Sequence, residues 1–193
     1  MTRRRRWFHT DEREDAVRSL EWTLGLVRRV AANESIWKWL ILSLHNAAQG
    51  YMVVALEKGN GLLALRPKIA RSWLRAFQGN GPYPVEKLDD FLPLFEKVKL
   101  PKHFATPFPS TPAHDKSIQR LNELRGYFTH FTPKGWSLEL AGLPIIVRDT
   151  ADLIEWAAFQ SGATWHKLSH PKRTRRALAA IRRLTIVGGG RDA

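Results

Sequence analysis

The segment that most constrains this chain is SIWKWLILSLHNAAQGYMVVAL, residues 35–56, which is apolar around most of a helical circumference. A helix of this length and composition either spans a bilayer or lies at the centre of a protein. Five polar residues interrupt it: Lys38, Ser43, His45, Asn46 and Gln49. Each of them would be costly in lipid. The sequence therefore predicts a buried core helix, with Ser35 capping its start and Gly59 ending it.

Helical spacing of apolar residues recurs along most of the chain. It predicts further helices over residues 12–31, 67–78, 85–99 with an interruption at Pro93, 113–131, 144–168 and 171–184. Four prolines between residues 100 and 112 predict an extended crossover, because proline cannot donate to a helix or a sheet. The alternation in GWSLEL permits one short strand or hairpin near residues 136–147. The predicted fold class is an all-α helical bundle.

A length of 193 residues fits one domain, and no repeat with a period of 20 to 50 residues is evident. We expect four segments along the chain. They are a basic N-terminal tail (1–11), a single helical domain (12–170), a basic C-terminal helix packed on it (171–186) and a flexible tail (187–193).

The chain is strongly basic, with 31 Lys and Arg against 18 Asp and Glu and a formal net charge of +13. Such a charge attracts nucleic acid, anionic membranes or acidic partners. The absence of cysteine excludes disulfides and thiolate metal sites. The charged N-terminus has no apolar run behind it, which argues against a secretory signal. We expect a cytoplasmic protein without a cofactor, a bound metal or membrane association.

The segment LNELRGYFTHFTPKGW, residues 121–136, places Arg125 five residues before His130 near a predicted helix end. Cleavage of RNA by the neighbouring 2′-hydroxyl needs proton transfer and positive charge on the phosphate. Histidine titrates near neutral pH, and arginine offers a permanently charged fork to phosphate oxygens. Positions 125 and 130 diverge by about 140° on a regular helix, so convergence requires the helix end or a second subunit. Alternatively, both side chains complement the helix dipole.

The spacing in RGYFTH, together with the central helix SIWKWLILSLHNAAQGYMVVAL, resembles the HEPN domains (higher eukaryotes and prokaryotes nucleotide-binding). The resemblance is to bacterial members with the pattern HFTPKGW, and it covers about residues 12–166. It implies an all-α bundle that pairs two copies, so that their arginines and histidines face one cleft. In many members that cleft cuts RNA without metal.

Carried over by motif, Arg125 and His130 are the expected catalytic residues of a metal-independent endoribonuclease, such as a toxin or defence effector. RNA or a nucleotide, a second copy, and an antitoxin or nucleotidyltransferase are the implied partners. The family often has asparagine after the arginine, whereas this chain has Gly126. That departure favours the alternative, a non-catalytic RNA- or nucleotide-binding or partner module.

Other polar residues are candidates for supporting roles. His45 and Gln49 share a helix face, and with Asn122 they are candidates to lie behind the cleft, or else to form a buried hydrogen-bonded pair. His166 and His170 have a spacing used for zinc, but no third ligand is evident and no metal site is predicted. The predicted RNA-binding residues are Lys134, Lys172, Arg173, Arg175, Arg176, Arg182 and Arg183.

Overall fold

The computed structural model describes residues 6–130, 133, 135 and 137–188, with side chains of the last helix described as far as Arg183. Over these residues it is an all-α bundle. Its helices are α1 (Glu12–Val30), α2 (Ile36–Leu56), a short 3-10 helix (Leu62–Ala64), α3 (Pro67–Phe77), α4 (Phe91–Val98), α5 (Pro112–Thr129), α6 (Leu143–Phe159) and α7 (Ser169–Gly188). The predicted fold class is confirmed.

The predicted core helix is α2, which packs against α1, α4, α5 and α6. It is long and apolar enough to cross a membrane, but 61% of its most apolar window is buried inside the protein. Two of its polar residues, Ser43 and Asn46, bond to α1. Ser43 Oγ donates to the backbone oxygen of Ser19 at 2.9 Å, and the Asn46 amide donates to Ser19 Oγ at 3.1 Å. Hydrogen bonding of this kind makes the burial of a polar helix position tolerable.

Three details of the predicted elements were wrong. Residues 85–90 are not helical, because residues 87–89 bond to the chain around Leu65. Pro93 lies in the first turn of α4 and does not interrupt it, since that turn needs no intrahelical N–H donor. Helix α6 ends at Phe159 rather than near residue 168, and Gly162 follows with a φ of 82°.

The short strand or hairpin suggested near residues 136–147 does not form in the described part of the chain. Residues 137–142 are irregular, and residues 143–147 already belong to α6. A lone strand would leave its backbone hydrogen bonds without a partner strand. Trp136, the first residue of the suggested alternation after Gly135, lies outside the described residues.

Helix α7 is tied to α1 through the buried carboxylate of Glu14. His170 Nε2 donates to Glu14 Oε2 at 2.9 Å, and Arg173 Nη1 donates to Glu14 Oε1 at 3.1 Å. The hydrogen bond from His170 is the largest influence holding the pKa of Glu14 well below its ordinary value of 4.5, and burial opposes it. Below them, Thr174 Oγ1 pairs with the buried Tyr51 hydroxyl at 2.5 Å, which connects α7 to α2. The basic C-terminal helix is therefore packed into the bundle.

Helices α1 and α2 approach each other closely where Gly50 faces Ala16. A Cβ at position 50 would lie 2.9 Å from Ala16 Cβ and 3.1 Å from its Cα. We expect Gly50→Ala to lower the free energy of unfolding by about 1 to 3 kcal/mol, because backbone must shift to admit the methyl group. Urea unfolding followed by circular dichroism measures this change.

Gly25, a helical glycine in α1, is the matched control, since a Cβ at this position would meet nothing within 4 Å. Gly25→Ala should raise the free energy of unfolding by about 0.5 to 1 kcal/mol through helix propensity. A Gly50→Ala protein as stable as the Gly25→Ala protein would contradict the close approach of the two helices.

Candidate functional site

The predicted catalytic pair occupies the exposed C-terminal end of α5. Arg125 lies just before the last turn, and His130 is the C-cap residue, with φ −121° and ψ 61°. The backbone N–H of His130 still donates to the Gly126 oxygen at 3.0 Å, so the chain leaves the helix at this residue. Both residues are exposed. No hydrogen bond or ion pair joins them within the described residues, so the single chain brings the two groups to the same helix end without coupling them.

Behind Arg125, α5 and α2 meet through a buried histidine. His45 is 5% exposed, and its Nε2 donates to Asn122 Oδ1 at 3.3 Å. The ring stacks on Phe91 of α4, with centroids 3.9 Å apart and planes inclined by 25°. Asn122 lies one turn before Arg125 on the same helix. The structure thus brings together three residues singled out in the sequence, His45, Asn122 and Arg125.

Electrostatics at this junction keep His45 uncharged at neutral pH. The pKa of His45 is lowered to about 4, chiefly by burial; the hydrogen bond to Asn122 opposes this shift, and the positive charge of Arg125 adds to it. An imidazole that is neutral in this way positions its neighbour by hydrogen bonding and is not a general acid near pH 7. His45 is therefore not a candidate for proton transfer near neutral pH, and the exposed His130 stays the candidate that the sequence predicted.

The Arg125 guanidinium itself has no hydrogen bond or acidic partner among the residues that the structure describes. Gln49, predicted to accompany His45, is half-buried one turn later on α2, and its amide makes no hydrogen bond within the same set. An exposed, unpaired guanidinium beside a neutral polar pair is free to bind an external anion. Phosphate and carboxylate are the groups that such a planar fork fits best.

Gly126 occupies the position at which a polar residue was expected. It is half-buried inside the last turn of α5, and nothing lies within 4 Å of its Cβ position. The structure therefore has room for a larger side chain beside Arg125, and no neighbouring group fills that space in the described chain. The hydroxyl of Thr129 instead bonds to the backbone oxygen of Arg125 at 2.9 Å.

The basic residues of α7 divide into two groups. Arg173 pairs with Glu14 and Glu21, and Arg182 pairs with Asp152 and Glu155, so both are engaged inside the bundle. The exposed basic residues are Lys172, Arg175, Arg176 and Arg183. Of these, Arg175 lies 4.7 Å from the ring centroid of Phe159. Lys134 lies outside the described residues. Of the described basic residues of α7, only the exposed ones can contact a nucleic acid without the loss of an internal ion pair.

The two histidines with zinc-like spacing lie in different environments. His170 is fully buried against Glu14, whereas His166 is exposed in the segment before α7. They share no ligand position in the described structure. Helical spacing does not relate them, because residues 163–168 are not helical.

Sequence reasoning missed a polar cluster between α5, α6 and α7. His114, Asp149 and Asp152 bring potential metal-ligand atoms within 4.8 Å of one another. Arg148 contacts Asp149 at 3.1 Å, and Arg182 contacts Asp152 at 2.6 Å, so an arginine already compensates each carboxylate. Because the arginines neutralise the two carboxylates, we interpret the cluster as an internal ionic network and not as a metal site. The signal in the sequence was Asp149 on the otherwise apolar face of α6.

A groove of about 610 Å³ lies beside this cluster, between α5 and the start of α6. At its floor Ser117 Oγ donates to the buried Asp149 Oδ2 at 2.6 Å. Lys116, Arg120 and Glu123 line one wall, and all three are exposed. The groove carries both signs of charge, unlike the end of α5, where Arg125 has no acidic partner in the described chain.

The His45 titration can be measured directly. We expect its imidazole signals in NMR spectra to titrate with a midpoint near pH 4, and Arg125→Gln to move that midpoint upward, because it removes the nearby positive charge. Since the folded pKa lies below the ordinary value of 6.5, His45 should contribute to stability above that pH and lose this contribution as the pH falls toward 4.

Arg28→Gln is a matched control, because Arg28 is an exposed arginine in the last turn of α1. It should leave the His45 midpoint unchanged. An equal upward movement in both variants would mean that net charge, and not the position of Arg125, sets the pKa of His45.

No protein-family model matches this chain, no curated protein matches it, and no solved structure matches it.

Proposed function

We propose that the protein is a HEPN-like, metal-independent endoribonuclease whose active cleft forms between two copies of the chain. The observation that carries the proposal is the exposed Arg125 guanidinium, which has no acidic partner in the described structure and lies beside the uncharged His45 and Asn122 pair. His130 is exposed at the end of the same helix. The net charge of +13 suits a polyanionic substrate.

Each residue has a distinct role in this proposal. Arg125 binds the scissile phosphate and stabilises the negative charge that builds on it as the 2′-hydroxyl attacks. His130 transfers protons, taking one from the 2′-hydroxyl or giving one to the leaving 5′-oxygen. Asn122 and His45 position the turn of α5 that carries Arg125. Because one chain does not couple Arg125 to His130, a second copy supplies the histidine that completes each phosphate site.

A second candidate is a non-catalytic RNA- or nucleotide-binding module of the same fold, or a partner subunit for an antitoxin or nucleotidyltransferase. The space beside Gly126 favours it, since no polar side chain there orients a substrate. In this case Arg125 retains phosphate binding and His130 has no chemical role. The two candidates differ in whether purified protein cuts RNA, and both place the protein in the cytoplasm.

The catalytic prediction is tested by substitution. We expect His130→Ala and Arg125→Ala each to lower the rate of RNA cleavage by at least about 100-fold, because water replaces neither the proton transfer nor the fixed positive charge. Cleavage by the unaltered protein should persist in EDTA. The measurement is the initial rate on a labelled single-stranded RNA, with light scattering at the same concentration to establish the dimer.

His166→Ala is the control for His130, because His166 is an exposed histidine away from α5 in the chain. It should cut RNA at the unaltered rate. RNA binding without cleavage by the unaltered protein would favour the binding module. A strict monomer that cleaves RNA would remove the second copy from the mechanism.

Helix α7 is proposed to supply affinity while the end of α5 supplies chemistry. Replacing Lys172, Arg175, Arg176 and Arg183 together by glutamine should weaken binding of single-stranded RNA. The magnitude of the slope of log affinity against log salt should fall by about 0.7 for each phosphate that the variant no longer binds. The cleavage rate at saturating RNA should stay as it was. Binding titrations over a range of salt concentrations measure both affinity and slope.

Arg173→Gln separates structural from binding arginines of α7. It removes the ion pairs to Glu14 and Glu21, so it should lower the free energy of unfolding and leave the salt slope nearly unchanged. If the four exposed substitutions leave the slope unchanged as well, α7 is only a charged surface.

A further inference from the structure

An exposed aromatic and basic surface lies on α3 and the loop that follows it. We name it the α3 platform, and it consists of Arg71, Trp73, Arg75, Phe77 and Tyr83. Helix α3 contacts little of the bundle except the short 3-10 helix, and Ala76 is its only buried residue. Such a projecting helix has two faces available to a partner.

The aromatic rings of the platform are organised but not covered. Trp73 and Phe77 stack with centroids 5.7 Å apart and planes inclined by 13°, and Tyr83 meets Trp73 edge-on at 5.4 Å. Even so, Phe77 is 68% exposed and Tyr83 is 60% exposed. Rings assembled only to fill a core would be buried. Here each outer ring keeps surface free for another planar group.

The turn after α3 is built to return Tyr83 to Trp73. Gly79 and Gly81 have φ values of 82° and 115°, which other residues rarely adopt. The Gly79 N–H bonds to the Ala76 oxygen and the Asn80 N–H bonds to the Arg75 oxygen, both at 2.9 Å, which closes the helix end. The arrangement of the rings is therefore set by the backbone before any ligand binds.

The segment of the chain that carries the platform is basic. Residues 58–85 contain five Lys and Arg and no Asp or Glu. Arg71 and Arg75 lie one turn apart on the exposed face of α3, and neither has an acidic partner among the described residues. Within the described chain, the Arg75 guanidinium donates its one hydrogen bond to the Ser72 hydroxyl, at 3.1 Å. Two unpaired guanidinium groups beside exposed rings complement an anionic ligand that also carries flat apolar groups.

We propose that the α3 platform binds single-stranded nucleic acid, with bases stacking on Phe77 and Tyr83 and phosphates contacting Arg71 and Arg75. Stacking and phosphate contact are common to RNA and DNA, so the choice of RNA as the cellular ligand rests on the proposed function. A second copy is a poor occupant, because it presents the same positive charge. A lipid surface does not need rings held in a fixed arrangement, and the polar turn from Gln78 to Gly81 interrupts the apolar surface.

The test uses a fluorescent deoxyuridine oligomer of about 12 nucleotides and its abasic counterpart, which has the same phosphates without bases. Neither can be cut through a 2′-hydroxyl, so binding is measured apart from cleavage. We expect Phe77→Ala to weaken binding of the intact oligomer roughly 5- to 100-fold and of the abasic oligomer less than about twofold. Phe77→Tyr should restore the unaltered affinity, because it keeps the ring.

Trp39→Ala is the matched control, since Trp39 is a 58% exposed aromatic in the first turn of α2. It should bind both oligomers as the unaltered protein does. Equally weakened binding of the two oligomers by Phe77→Ala, or unchanged binding of both, overturns the proposal. So does a Phe77→Ala protein that is impaired only in binding vesicles of anionic lipid, because the ligand would then be a membrane.

Binding of these oligomers, compared with cleavage of RNA, distinguishes this proposal from the proposed function. A protein that binds the intact oligomer through Phe77 yet leaves RNA uncut would retain the platform and lose the nuclease. If the unaltered protein cuts RNA and the Phe77→Ala variant binds the oligomers normally, the nuclease proposal stands and the platform proposal fails. Far-UV circular dichroism should show unchanged helicity in Phe77→Ala, because the side chain is mostly exposed.

Discussion

The structure depends on burying α2, an apolar helix that nevertheless carries polar side chains at its centre. Burial removes His45 almost fully and Ser43 partly from water, and a buried polar group left without a partner would cost about 1 to 3 kcal/mol. Two neighbouring helices meet this demand. Ser43 bonds to Ser19 on α1, and His45 bonds to Asn122 on α5. The hydrogen bonds that allow α2 to be buried therefore also set where α1 and α5 lie.

This requirement links the core to the candidate site. The bond that satisfies His45 fixes Asn122, and Arg125 follows one turn later at the surface. Arg125 is close enough to lower the pKa of His45. A substitution at this surface position should therefore change the pKa of a buried residue. The fold requires a neutral His45, because a charged imidazole between Phe91 and Arg125 would be destabilising.

The arginines fall into two groups. Some form ion pairs that hold helices together, and others are exposed without an acidic partner in the described chain. Arg173 and Arg182 hold α7 against α1 and α6 through acidic partners. Arg125 and Arg71 have no such partners within the described chain. Counting basic residues in a sequence does not separate these two groups, because the acidic partners lie far away along the chain. Arg173 and Glu14, for example, are 159 positions apart.

The periodicity of apolar residues by itself determined the all-α class, the central place of α2 and most helix boundaries, because helical spacing is a local property. It missed the end of α6 and the start of α4, where a turn glycine and contacts to the chain around Leu65 intervene. Motif spacing selected Arg125 and His130, and the polar interruptions of α2 selected His45. Only the tertiary structure decided that His45 meets Asn122, that Asp149 joins His114 and Asp152, and that Phe77 and Tyr83 stay exposed around Trp73. Those relations join residues from separate segments of the chain, and packing, not local sequence, brings such segments together.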